Sequence, residues 1–130
     1  KSMGKDVSLF FTFWGLNILR KTKKVRVKKA LIEKMFGFMM PRGTKKLPIS
    51  TMNMMGMGPK MIKGIMKKKN VDSLETLMTN AQQLGVKIVA CAMSMDIMGI
   101  KKEELIDGVE VAGVASYLAD TTSANHNLFI

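Results

Sequence analysis

A chain of 130 residues with 47% hydrophobic and 24% charged content can bury one core but not two, and it is too apolar to remain disordered. Its lone cysteine, Cys91, excludes a disulfide framework and suits a reducing, cytoplasmic setting, and the opening Lys-Ser-Met-Gly-Lys-Asp does not read as a secretory signal. The net charge of +11 is unevenly spread: eighteen Lys and Arg in residues 1–70 face only Asp6 and Glu33, whereas residues 71–130 carry three lysines against eight acids.

Residues 7–13 are rich in strand formers and almost wholly apolar, as expected of a strand covered on both faces. The stretch to Leu19 contains Ser8, Thr12 and Asn17 and falls short of the roughly 20 residues of a membrane span. Trp14 and Gly15 end the strand, and Leu16, Ile18 and Leu19 predict a short helical turn before a basic run from Arg20. Val27, Leu31, Met35 and Phe38 form one helical stripe over residues 25–38, broken by Pro41-Arg42-Gly43-Thr44. Residues 47–58 are irregular and methionine-rich. Pro59 suits a first helical turn, with Met61, Ile62, Ile65 and Met66 as the apolar side and Lys60, Lys63, Lys67 and Lys68 opposite.

Asp72-Ser73-Leu74-Glu75 predicts a capped helix start with Asp72 as the cap. Leu74, Leu77, Met78, Ala81 and Leu84 supply its buried stripe, and Gly85 is the stop. Residues 86–91 form a short β-branched strand, and residues 92–99 a turn entering one or two helical turns. Residues 102–106 then predict helix, residues 109–114 a strand, residues 115–120 a short helix and residues 128–130 a terminal strand. Alternating strands and helices imply an α/β fold, a parallel sheet flanked by helices in three layers. The connection from Phe13 to Val86 far exceeds the dozen residues a parallel crossover requires, so residues 21–70 read as a basic, Met-rich helical insertion in a single domain spanning 1–130.

Chemistry concentrates at Cys91. The predicted strand end places it at the edge where open parallel sheets bind ligands, and the helix start that follows favours an anionic sulfur. A free cysteine is also among the most buried residue types, so inert packing is the competing reading. Asp96 opposes a thiolate, whereas Lys101, Lys102 and the basic half favour one. Nine of the 14 methionines lie between Met35 and Met66. Met35 and Met61 read as core filling; Met52, Met54, Met55 and Met57 read as a yielding lid or partner surface, with a spacing that matches no compact thioether copper site. His126 is the only histidine, and one His with one Cys cannot fill a tetrahedral metal site. No phosphate loop, dinucleotide-binding glycine pattern or serine-nucleophile elbow is present, so no cofactor or metal is expected.

Phe10-Phe11-Thr12-Phe13-Trp14-Gly15-Leu16, Met39-Met40-Pro41-Arg42-Gly43, the run from Cys91-Ala92-Met93-Ser94-Met95-Asp96 to Ile97-Met98-Gly99-Ile100, and Asn127-Leu128-Phe129-Ile130 resemble the DsrE/DsrF-like family. The similarity is to a branch labelled peroxiredoxin-like or sulfurtransferase, and it runs along essentially the whole chain. It implies a DsrE-like fold, a homo-oligomer and a cysteine that carries sulfur as a persulfide in a sulfur relay. That role falls on Cys91, with Ala92, Met93, Ser94, Asp96, Trp14 and Gly15 in support. Implied partners are TusA-like, rhodanese-like or coenzyme A disulfide reductase-type proteins. Some relatives carry a second cysteine where this chain has Ser94, so carriage fits better than a resolving disulfide within one subunit. The family also begins one strand and one helix earlier, and Lys1-Ser2-Met3-Gly4 resembles the end of that helix.

A non-enzymatic adaptor competes with this reading, with Cys91 inert and the basic Met-rich insertion docking an anionic membrane or an acidic protein. Nucleic acid is not expected, because the basic field lacks interleaved exposed aromatics for base stacking.

Overall fold

The computed structural model describes residues 1–22, 35, 40–43, 57–128 and 130. Among the described residues, three strands, β1 (Ser8–Phe11), β2 (Lys87–Cys91) and β3 (Glu110–Ala112), form a parallel sheet in the order β1-β2-β3. Ser8 pairs with Lys87 and Phe11 with Ala90 on one side; Val89 pairs with Glu110 and Cys91 with Ala112 on the other. β2 is thus central, and every residue from Ile88 to Cys91 is buried. A β-branched run covered on both faces needs that position. The helices that flank the sheet complete the α/β architecture implied by the alternation of elements.

After β1 comes a 3-10 turn, Phe13–Gly15, and then α1 (Leu16–Leu19). The crossover continues through α2 (Met57–Lys68) and α3 (Leu74–Gln83) before β2 begins. Cys91 caps α4 (Ala92–Met98), which ends at Gly99 with φ +62°. The Gly99 and Ile100 amides donate back to the carbonyls of Asp96 and Met95, a left-handed termination that glycine makes at least cost. A 3-10 turn (Lys102–Glu104) leads into β3, and α5 (Val114–Ser123) follows.

Side chains alternate along β2, which divides its buried residues between two faces. Ile88 and Ala90 join Leu16, Leu19, Met78, Met95, Ile100, Leu105 and Val109 in the apolar core. Val89 and Cys91 therefore belong to the opposite face, that of Phe10 and Lys87. α5 covers it: the Tyr117 ring lies 5.0 Å from that of Phe10, and Lys87 Nζ is 3.0 Å from Asp120 Oδ2.

Several expectations need correction. Ser73, not Asp72, caps α3, because its Oγ accepts from the Thr76 amide at 3.2 Å; Glu75 falls in the first turn. Residues 102–106 form only the single 3-10 turn, since Leu105 is drawn into an antiparallel bridge with Arg20. β1 and β3 are shorter than read, whereas α5 is longer at both ends. Leu128 and Ile130 are in no strand, and Phe129 lies outside the described residues. α2 starts at Met57, inside the stretch read as irregular. Met61 and Ile65 on its apolar side are exposed, as are Leu74 and Leu77 of α3 and Leu84 just past its end. The helical stripe at 25–38, Met35 excepted, and the lid residues Met52, Met54 and Met55 lie outside the described residues. Met35 is helical and exposed rather than core.

Candidate functional site

The carboxyl ends of the three strands terminate at Phe11, Cys91 and Ala112. Cys91 stands in the middle of that edge. Its thiol is free and its residue 2% exposed, and its backbone (φ −69°, ψ 116°) is still extended as it enters α4. A residue in this position faces backbone amides of the first helical turn, which have no intrahelical acceptor. The Cys91 side chain makes no capping hydrogen bond to that end of α4.

The residues expected to support Cys91 fall into two groups. Ala92 opens α4 half-buried, and Ser94 is buried in its first turn. Met93 and Asp96 are exposed on the helix surface, as is Ile97 one turn beyond Met93. Trp14 and Gly15 lie in the 3-10 turn after β1, which packs against α4. Trp14 is 56% exposed and Phe13 beside it is 54% exposed. Phe13, Trp14, Met93 and Ile97 are thus exposed apolar side chains on the two packed elements that follow β1 and β2. Phe13 adopts φ +39°, a strained conformation for a bulky side chain.

Sequence reasoning missed a second feature. Asn17, Arg20 and Glu104 are all completely or almost completely buried. Arg20 Nη2 lies 3.4 Å and Arg42 Nη2 3.1 Å from Glu104 Oε1. Arg20 Nη1 reaches Asn17 Oδ1 at 3.4 Å, and Asn17 Nδ2 donates to the Trp14 carbonyl at 3.0 Å. Glu104 Oε2 accepts from the Lys101 amide at 3.0 Å. Backbone bonds seal the assembly: Lys21 N to Glu104 O and Ile106 N to Leu19 O, both 2.7 Å, and Gly43 N to Asn17 O, 2.9 Å. Burial, with the adjacent Arg42 adding to it, lowers the Arg20 guanidinium below its ordinary value, while Glu104 opposes that shift. Gly43 is required where it stands: φ is +72°, and a Cβ would meet Thr22 Cγ2 at 2.9 Å. The signal that pointed here was the Met39-Met40-Pro41-Arg42-Gly43 motif, whose arginine was read as part of a helix break and of the family resemblance, with no role of its own.

Among the described residues, no three His, Cys, Asp or Glu side chains converge as a metal-binding group, and no helix is long and apolar enough to cross a membrane. A cleft of about 520 Å³ opens between Ile18, Thr22 and Gly43 on one side and Glu75, Met78 and Gln82 on the other, and Cys91 does not line it.

A family model described as DsrE/DsrF/DrsH-like matches residues 1–129. The chain belongs to that family. It is 55% identical over 125 residues to "Uncharacterized protein YrkE" of Bacillus subtilis, covering 96% of this chain and 78% of that protein. It is 36% identical over 133 residues to "Sulfur carrier protein DsrE2" of Allochromatium vinosum, covering 99% of this chain and 82% of that protein. These similarities bear out the resemblance drawn from the motifs around Trp14, Arg42 and Cys91.

Proposed function

We propose that this protein is a sulfur carrier that holds sulfane sulfur as a persulfide on Cys91. The observation that supports this most is the placement of the chain's only cysteine at the centre of the sheet's carboxyl edge, in a chain 36% identical to a protein named as a sulfur carrier. The Cys91 thiolate attacks the terminal sulfur of a donor persulfide. The donor S–S bond breaks, a new S–S bond forms on Sγ, and the donor leaves as a thiolate. An acceptor thiolate then attacks that terminal sulfur and regenerates Cys91, so the cycle needs no external oxidant or reductant. Ser94 stands one helical turn after Cys91 and is not a resolving thiol. Discharge therefore requires a thiol from another protein, of the TusA-like, rhodanese-like or coenzyme A disulfide reductase type. The exposed Phe13, Trp14, Met93 and Ile97 offer such a partner, or a second copy of this chain, an apolar landing surface. A reducing cytoplasmic compartment suits the free thiol.

The test is mass spectrometry of the native protein before and after treatment with a persulfide donor. Cys91 should gain 32 Da per sulfur atom, a mass shift fixed by chemistry and roughly that of one atom against 14.4 kDa. Cys91→Ser should gain none while keeping its fold. A thiol that stays unmodified until denaturant is added overturns the reading.

A second reading draws on α2, whose Met57, Met61 and Ile65 are exposed beside Lys60, Lys63, Lys67 and Lys68. Residues 21–70 would then act as a docking insertion for an anionic surface. Charge reversal at Lys67, Lys68 and Lys69 should weaken binding to anionic vesicles and flatten its salt dependence. Binding indifferent to salt removes this reading.

A further inference from the structure

We propose that Asn17 is a positioning residue for Cys91, and that the buried Asn17–Arg20–Glu104 network holds the strained turn at Phe13 and Trp14 against the thiol edge, setting access to the sulfur. The inference rests on the reading of Cys91 as a sulfur carrier and adds the device that governs its exposure.

A positive φ at a phenylalanine persists only where its surroundings over-determine it. The Phe13 ring is more than half exposed, so packing of that ring does not supply the restraint. Hydrogen bonds do. The Gly15 amide closes the turn on the Thr12 carbonyl at 2.9 Å, and Asn17 Nδ2 binds the Trp14 carbonyl at 3.0 Å. Asn17 cannot readily rotate away, because Oδ1 accepts from Arg20 and its own carbonyl accepts from Gly43. Arg20 is fixed in turn by Glu104, whose second oxygen caps the Lys101 amide just beyond the end of α4.

The path therefore leaves the chain beyond α4, crosses the buried ions and returns to the turn that packs against α4. Cys91 stands at the start of α4, the helix against which that turn packs. Three apolar side chains would bury as readily as this ionic set and without its desolvation cost. What charges add is a defined geometry. Fixed geometry matters where a thiol 2% exposed must admit a persulfide donor and exclude bulkier thiol reagents.

The experiment uses the full chain and two variants, Asn17→Ala and Asn17→Asp. Aspartate keeps an acceptor for Arg20 but has no donor for the Trp14 carbonyl. Cys91 alkylation by a small haloacetamide and by a bulky maleimide is timed under native conditions. Trp14, the only tryptophan, reports the turn through its emission and anisotropy. Both variants should admit the bulky reagent about tenfold faster than wild type and lower the Trp14 anisotropy, with circular dichroism unchanged. A merely structural Asn17 would lower the melting temperature and leave the native alkylation rate and anisotropy alone. Bulky-reagent rates within about twofold of wild type in both variants overturn the proposal. Should neither variant fold, Asn17→Ser, a smaller change that still withdraws Nδ2 from the Trp14 carbonyl, is read by the same criteria. Persulfide loading of wild type is measured in parallel. Failed loading overturns the carrier reading while the rate ratios still decide the positioning role; successful loading with unchanged ratios overturns the positioning role alone.

Discussion

The apolar core beneath β2 and the ionic knot beside it are equally dry, yet they are held in different ways. Ile88, Ala90, Leu16, Leu19 and Met95 pack through contacts that any well-shaped hydrophobe can supply. In the knot, Glu104 takes both Arg20 and Arg42 on one oxygen, and Nε of Arg20 together with Nε and Nη1 of Arg42 have no hydrogen-bond partner among the described residues. The core is tolerant in chemistry and exacting in volume; the knot reverses those terms. Only the knot holds the turn by a side-chain hydrogen bond, from Asn17 Nδ2 to the Trp14 carbonyl.

The comparison breaks most visibly at Glu104. Glu104→Ala leaves two buried guanidiniums without their shared carboxylate and should cost about 3–5 kcal/mol in urea unfolding. A loss under about 1 kcal/mol would mean that the knot admits water freely and is not the rigid partner of the core. In the core, Ile88→Ala should cost about 2–4 kcal/mol and Ile88→Val about 1 kcal/mol, with Cys91 alkylation unchanged in the valine variant. A valine variant that alters alkylation would show that volume in the core, too, governs the thiol edge.

The same contrast explains what was legible in the residues. β2 and its helix were readable because a β-branched run, a capping position and a terminal glycine carry local signals that agree. The 3-10 turn at Lys102 was overestimated because Leu105 answers to Arg20, 85 positions earlier in the chain, and not to helical periodicity. Arg20 was read within a basic run, Arg42 within a helix break, and Glu104 was not singled out, since nothing in their local spacing announces burial. The cap of α3 moved by one residue because serine and aspartate compete for that role on nearly equal terms. Leu74 and Leu77 follow the stripe faithfully and remain exposed: periodicity marks a face but not what covers it.

A finer test separates strain from packing at the turn. Phe13→Gly and Phe13→Ala both delete the exposed ring, but only glycine accepts φ +39° without penalty. The glycine variant should be more stable than the alanine variant by roughly 1 kcal/mol, reversing the usual order of the two residues. Equal stabilities would show that the turn relaxes freely, and that the knot does not restrain it.

The smallest effect belongs to a pair outside both regions, and it calibrates what an ion pair is worth when water reaches it. Lys87 Nζ lies 3.0 Å from Asp120 Oδ2, and both side chains are more than two-fifths exposed. The hydrogen bond to Asp120, reinforced by its charge, raises the Lys87 ammonium above its ordinary 10.5. Because the folded state holds this proton more tightly than the unfolded chain, the contribution is fully present below the unfolded value. It disappears as pH rises through the raised one. Lys87→Met should therefore be slightly less stable than wild type at neutral pH, by an amount that added salt diminishes. The gap between the two proteins should narrow as pH climbs beyond about 10.5. Urea midpoints at neutral and strongly alkaline pH, each at low and high salt, measure it. A gap that widens with pH would mean that the Lys87 stem packing against α5, rather than its charge, carries the contact, aligning this exposed pair with the core instead of with the knot.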